Sequence, residues 1–440
     1  MRVDLIMKEQ HEKKILIVGA GFAGVSAALV LAKKKIPGLK IVLINPAPHF
    51  EYHATLYRVL AGHSPLEVCI PLRDIFSNRQ SGLSRFWRPP STRGPQNDVE
   101  LVEDEIADID FSEKIAVGKS DSIYKFDYLV LALGSETAYP DVKGLKKLSF
   151  SMKSINDTIR LNRHLHTSFL ECTFLKNKTA KMCNTHIVIV GGGATGVEVA
   201  GELLSYTKQL AKKHFIEESL ITVDLITSPA RLVNDLPEKV STEIEKRLRN
   251  LGANLYLNRR VMKEEVEKVY LKDVELKTKT VIWAAGVKGN HYYADWGLPV
   301  DEKGKVAVNE YLRPATGPVG ALENIFIVGD GAATKYGGVA STAIYDGRFV
   351  AEIIDRTVNG KKLLSYAPGP SPAYIPVGPG WALSLRGSWM ISGRLGWFFR
   401  RLHDFRFFLS VLPFHKALDA FRSDKILWET CPICSKSSKF

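Results

Sequence analysis

The chain has 440 residues, 45% hydrophobic and 24% charged, an ordinary globular usage that excludes disordered, collagen-like and disulfide-stapled scaffolds. At roughly 100–200 residues per domain, two to four domains are expected. Lys plus Arg is 60 against 47 for Asp plus Glu, and the formal charge of +13 favours an anionic partner: a phosphate-rich cofactor, nucleic acid or an acidic membrane.

Met1 to Lys14 lacks a signal-like apolar core, and no run approaches the ~18 apolar residues of a spanning helix, so any membrane link is expected to be peripheral. Lys14–Val18 reads as a strand that enters Gly19-Ala-Gly21-Phe-Ala-Gly24 and then a helical stretch to Lys35, and Lys40–Ile44 reads as the next strand. Asn78–Asp98, with Pro89-Pro90 and Gly94-Pro95, reads as an exposed loop. Tyr128–Leu133 is a further strand, ending in Gly134. The opening pattern then repeats: His186–Val190, the turn Gly191-Gly-Gly193-Ala-Thr-Gly196, a helix to about Lys213 and a strand over Ile221–Ile226. Val281–Ala285 and Ile325–Val328 are two later strands, ending in Gly286 and in Gly329-Asp330. This is an α/β chain with two nested Rossmann-like dinucleotide-binding domains and a C-terminal amphipathic helical segment.

One GxGxxG is weak evidence, but here both copies follow an apolar strand and open a helix. The first glycine permits the sharp turn, the second lets backbone approach a pyrophosphate, and the third lets helix and strand pack closely. Two dinucleotides, a flavin and the nicotinamide that reduces it, are the economical pair. The residue that ends the second strand usually contacts ribose. In the first unit it is Asn45, which can hydrogen-bond a hydroxyl without charge. In the second it is Thr227, followed by Ser228 and Arg231, and the missing carboxylate removes a repulsion against a 2′-phosphate, so NADPH is expected to be tolerated beside NADH.

These residues resemble the flavoprotein pyridine-nucleotide oxidoreductases, most closely the type II NADH dehydrogenases. The resemblance rests on Gly19 to Gly24, His49-Phe-Glu-Tyr-His-Ala-Thr-Leu-Tyr-Arg58 with Pro71-Leu-Arg73, Leu131 to Ser135, Val190 to Glu202, Trp283 to Gly286 and Ile327 to Asp330, in that order. It implies FAD on Gly19, Gly21, Phe22, Ala23, Gly24, Asn45, Gly134, Gly329 and Asp330, with Asp330 on the ribityl chain. It implies the nicotinamide on Gly191, Gly193, Ala194, Thr195, Gly196, Thr227 and Gly286. Glu198 corresponds to a family glutamate near the flavin assigned to nicotinamide orientation or proton handling; by position alone it is also an acid favoured by a helix's positive end. The implied reaction passes a hydride from NAD(P)H to FAD and two electrons on to a membrane quinone, without proton pumping. The segment after Gly329-Asp330 departs from the family: its usual Ala-Gln-x-Ala-x-Gln is replaced by Ala340-Ser-Thr-Ala-Ile-Tyr345, leaving Ser341 and Tyr345 to face a quinone. The implied domains are 1–140 and 291–367 for FAD, 141–290 for NAD(P)H and 368–440 at the membrane, with a second copy of the chain as partner. The location implied is a cytoplasmic membrane face, or the matrix face in a mitochondrion.

The absence of CxxxxC, and of any cysteine between Cys183 and Cys431, argues against the disulfide and sulfide:quinone reductases of the superfamily, although Cys172 and Cys183 keep the latter open. A soluble flavoprotein like apoptosis-inducing factor is a further alternative. Cys431-Pro-Ile-Cys434 is a lone CxxC, two ligands short of a structural zinc, and no metal site is expected. Leu395, Phe398, Leu402, Phe405, Leu409 and Leu412 step by three and four, an apolar helical stripe with Arg400, His403 and Arg406 outside it, before Pro413. Such a basic amphipathic helix suits a membrane surface, and its continuous stripe is not what a nucleic-acid stacking groove requires.

Overall fold

A computed structural model describes residues 13–34, 36, 38–77, 98–316 and 322–423. The chain divides into two compact units, each assembled from separated stretches: one from the described parts of Met1–Phe50, Pro71–Glu136 and Lys288–Ser371, the other from Glu51–Ile70, Thr137–Val287 and the described part of Pro372–Phe440.

The first unit is built on a five-stranded parallel sheet in the order Ile325–Ile327, Tyr128–Leu131, Lys13–Val18, Leu39–Asn45, Val99–Glu103. The central strands read Ile-Leu-Ile-Val and Ile-Val-Leu-Ile because a parallel sheet is covered on both faces, and Ile15, Ile17, Ile41, Leu43 and Ile44 are fully buried. Each such side chain contributes about 1.5–3 kcal/mol of burial. Phe22–Leu31 crosses the Ala340–Val358 helix at Gly347, where a Cβ would lie 2.1 Å from the Ala23 carbonyl oxygen. From Lys13–Val18 the chain moves to Leu39–Asn45 on one side and later to Tyr128–Leu131 on the other, so the Gly19 turn sits at the switch point where open α/β sheets bind ligands.

The second unit repeats the plan with four parallel strands, Asn254–Tyr256, Thr222–Ile226, His186–Val190 and Thr280–Trp283. Its core gathers Ile187, Ile189, Val197, Leu203, Val223 and Leu225 with Leu161, Leu165 and Phe169 of the Ile155–Phe174 helix. Ala373–Pro376, Ala382–Arg386 and Trp389–Ile391 form an antiparallel sheet that leads into the helices Arg394–Val411 and Phe414–Arg422.

The apolar stripe of Arg394–Val411 faces outward. Leu395, Phe398, Leu402 and Leu409 are exposed, the first two at 66% and 59%, while Arg400, Arg401, Asp404, Phe408 and Val411 are buried. Leu412 lies beyond the helix end and is buried, leaving the stripe through its C-cap. No helix among the described residues is long and apolar enough to cross a membrane.

Candidate functional site

In the first unit Gly19 has φ +100° and Gly24 lies so close beneath it that a Cβ would stand 1.9 Å from the Gly19 carbonyl oxygen. Any side chain at either position collides with backbone, which cannot step aside. Gly21 is the N-cap of Phe22–Leu31, and nothing lies within 4 Å of the Cβ it lacks. The helix has no side-chain cap and no acid in its first turn, so its leading N–H groups are open to an anion. Asn45 Oδ1 accepts the Ala20 N–H at 2.9 Å and its Nδ2 donates to the Ala47 carbonyl, so the side chain is aimed at the turn. Phe22 stands edge-on to Phe50.

At the end of Ile325–Ile327, Gly329 has φ +71° and Asp330 accepts from the Ser135 hydroxyl at 2.7 Å, just past Gly134. Buried Asp346 supports the turn from below, accepting the Gly329 N–H at 3.0 Å and the Tyr366 hydroxyl at 2.6 Å. Burial pushes its carboxyl up to about 6, against the pull of those two donors. Asp346 and Tyr366 were not singled out in the sequence; the available signal was an acid on the face that also carries Thr342, Ala343, Phe349 and Val350. Ser341 donates to Ser371 at 2.7 Å, and Tyr345 is partly exposed against the rings of Phe349 and Tyr366. Thr342 Oγ1 is buried with no hydrogen-bond partner among the described residues. An open, uncapped helix start, a turn whose first and last glycines are closed to side chains, and an acceptor carboxylate form a cradle that fits a flavin dinucleotide.

The second unit matches this turn for turn. Gly191 has φ +128°, a Cβ on Gly196 would stand 1.8 Å from the Gly191 carbonyl oxygen, and nothing lies within 4 Å of a Cβ on Gly193. Ala194 and Thr195 open the Ala194–Lys213 helix in an exposed first turn with neither cap nor acid. Gly286, φ +120°, follows Thr280–Trp283. Thr227 is buried, its hydroxyl turned against Gly192, and Arg231 donates to Leu236 O of its own loop and to Ser241 Oγ of the Glu238–Leu251 helix, at 2.7 and 2.9 Å.

One and two turns further along the same helix, Glu198 and Glu202 approach a charged cluster that local sequence pattern does not reveal. Arg401 donates to Glu67 at 2.7 Å and to Asp404 at 3.2 Å, Arg58 pairs with Glu67 at 3.2 Å, Arg400 lies 3.2 Å from Asp404, and Tyr52 donates to Asp404 at 2.7 Å. Arg400 also donates to the carbonyls of Ala54 and Tyr374. The His49 to Arg58 motif thus fastens the C-terminal helix. Burial pushes Glu198 up to about 8, with Arg400 pulling it down and Asp404 pushing it up, so near neutral pH it is mostly a neutral acid able to donate a hydrogen bond.

Burial pushes Glu202 up to about 7, opposed by Arg58 and reinforced by Glu67. The folded chain therefore keeps a proton that the unfolded chain releases near its ordinary value, and stability falls as pH rises from about 4.5 to about 7. Glu202→Gln is expected to remove its own share of that slope, about 3 kcal/mol, leaving the shares of Glu198 and Asp346, and urea midpoints at pH 5 and pH 8 compared with the wild type check it. Buried Cys172 and Cys183 have thiols raised by burial, which keeps them protonated and poorly nucleophilic. Cys431 and Cys434 lie outside the described residues.

Residues 13–347 match the family described as pyridine nucleotide-disulphide oxidoreductase. The chain belongs to that family. This oxidoreductase is 26% identical to the type II NADH:quinone oxidoreductase of Staphylococcus saprophyticus over 330 residues, 74% of this chain and 75% of that one. It is 26% identical to the protein of the same name from Staphylococcus aureus over 366 residues, 80% and 84% of the two chains. Among solved structures, the oxidoreductase shares its fold with NDH2 from Plasmodium falciparum in complex with NADH, at TM-score 0.79, 18% identity and coverage of 96% and 99%. It shares it also with the sulfide:quinone oxidoreductase of Aquifex aeolicus, at TM-score 0.70, 18% identity and coverage of 93% and 92%.

Proposed function

We propose that this chain is a type II NADH:quinone oxidoreductase, with FAD on the first glycine turn, NADH on the second, and a peripheral membrane attachment through the outward apolar face of Arg394–Val411. The repeated turn carries the reading: two helix starts without cap or acid, each behind a turn whose first and last glycines admit no side chain, in a chain whose relatives bear that name. FAD, when bound on the first glycine turn, would supply the redox chemistry between NADH and a quinone, without proton pumping.

The protein's part is placement. The first-turn N–H groups at Gly21 and Gly193 take the two pyrophosphates, and Asp330, held by Ser135, takes ribityl hydroxyls as a charged acceptor. Glu198, mostly protonated near neutral pH, holds a proton that can be given or hydrogen-bonded at its carboxyl oxygens. Ser341 and partly exposed Tyr345 stand in for the two glutamines missing from the quinone segment, one by its hydroxyl and one by its ring.

An anaerobic visible spectrum tests the reading. Flavin bands are expected to bleach with one equivalent of NADH and to return with a short-chain quinone. A protein that takes up no FAD, or a flavin that NADH reduces and quinone leaves reduced, overturns it.

A further inference from the structure

We propose that the nicotinamide unit recognises a 2′-phosphate, and so accepts NADPH, through Arg259 and Arg260 held beside Ser228. The proposal rests on the reading of this unit as the nicotinamide site. The strand Thr222–Ile226 ends without an acid to claim the ribose hydroxyls, and its single carboxylate, Asp224, is buried and already bonded by His186 at 2.9 Å and Asn254 at 2.8 Å. Thr227 turns its hydroxyl inward against Gly192, which leaves exposed Ser228 as the next side chain at the strand's carboxyl end.

Two candidates then compete for the phosphate. Arg231, the arginine nearest in sequence, is engaged by three acceptors, the carbonyls of Asn234 and Leu236 in its own loop and the Ser241 hydroxyl of the Glu238–Leu251 helix. The segment after Asn254–Tyr256 instead returns to the same edge. Thr227 N–H donates to Tyr256 O at 3.0 Å, Arg259 N–H to Thr227 O at 2.9 Å, and Asn258 N–H to Pro229 O at 3.0 Å, with Asn258 at φ +54° making the bend. Three backbone bonds therefore bind 256–259 to 227–229, and they bring two consecutive exposed arginines beside Ser228. Neither Arg259 nor Arg260 has an ion-pair partner among the described residues. A guanidinium fork matches a phosphate in two parallel bonds, and a ribose hydroxyl offers it no charge, so this edge discriminates for the phosphorylated nucleotide.

The test is isothermal titration of the flavin-loaded protein with 2′,5′-ADP and with 5′-ADP, at low and high salt. The phosphorylated probe is expected to bind at least about tenfold more tightly, with the advantage shrinking as salt screens the exposed arginines. Arg259→Ala/Arg260→Ala is expected to bring the ratio of the two constants to about one, and Arg259→Lys/Arg260→Lys to keep part of it. Equal binding by the wild type, or a ratio that the alanine variant leaves intact, overturns the proposal. The ratio and the flavin spectrum fail separately. A ratio near one in a protein whose flavin NADH bleaches defeats the phosphate site alone; a preserved tenfold ratio in a protein whose flavin ignores both nicotinamides supports the site and defeats the oxidoreductase reading.

Discussion

Asp404→Ala is expected to lower the unfolding free energy by about 3–5 kcal/mol, the cost of breaking a buried ion pair by removing one partner. Asp404 is fully buried and answers two guanidiniums and a phenol at once. Without it Arg400 keeps, among the described residues, the carbonyls of Ala54 and Tyr374 as acceptors, and Arg401 keeps Phe421 O and a Glu67 carboxylate that also pairs with Arg58. Burial already raises Glu67 despite the pull of both arginines, so it is poorly placed to take over the missing charge. Asp404→Asn, which keeps an acceptor for Tyr52, is expected to lose less. Urea midpoints read the difference, and a midpoint unchanged by alanine would show that the cluster contributes nothing to the fold.

Leu395→Ser/Phe398→Ser/Phe414→Ser is expected to weaken binding to anionic lipid vesicles by about two orders of magnitude while leaving the melting temperature near that of the wild type. The three side chains are 66%, 59% and 67% exposed, so the fold gains little from them, whereas lipid would gain most of their transfer free energy. The exposed Arg394, Arg406 and Arg422 add attraction for anionic headgroups, and salt is expected to reduce binding without abolishing it. Co-sedimentation with vesicles checks both; equal sedimentation of variant and wild type would send the apolar face to another partner.

What could be read from the sequence was local. A strand, a glycine turn and a helix lie within about twenty residues, so the close approach of Gly24 to Gly19 and of Gly196 to Gly191 is local, whereas the backbone that shuts out a side chain at Gly19 and at Gly191 comes from Ala132 and Ala284, far along the chain. The stripe of Arg394–Val411 was equally visible, but periodicity says which residues share a face and not what covers it. Here the narrow face of Arg400, Arg401 and Asp404 turns inward because its counter-charges wait in another segment: Arg401 and Glu67 are 334 residues apart. Asp346 was hidden for a similar reason, since its use depends on Gly329 and Tyr366 arriving from separate elements. Thr227 and Arg231 could be placed by position, yet the direction of each side chain is decided by neighbours, Gly192 in one case and Asn234, Leu236 and Ser241 in the other.

The interleaving of the two units along the chain bears on how the protein is made. During synthesis from the N-terminus, the five-stranded sheet has to wait for its edge strand Ile325–Ile327, and the segment 51–70 emerges with Glu67 and Arg58 more than 300 residues ahead of the helix that completes their cluster. Non-local closures of this kind slow folding and leave apolar and charged surfaces uncovered in the interim. The nascent chain therefore depends on the stretch from Ile325 to Val411 to finish both units, and a stop codon before Arg394 would leave the Arg58–Glu67 pair without Arg400, Arg401 and Asp404.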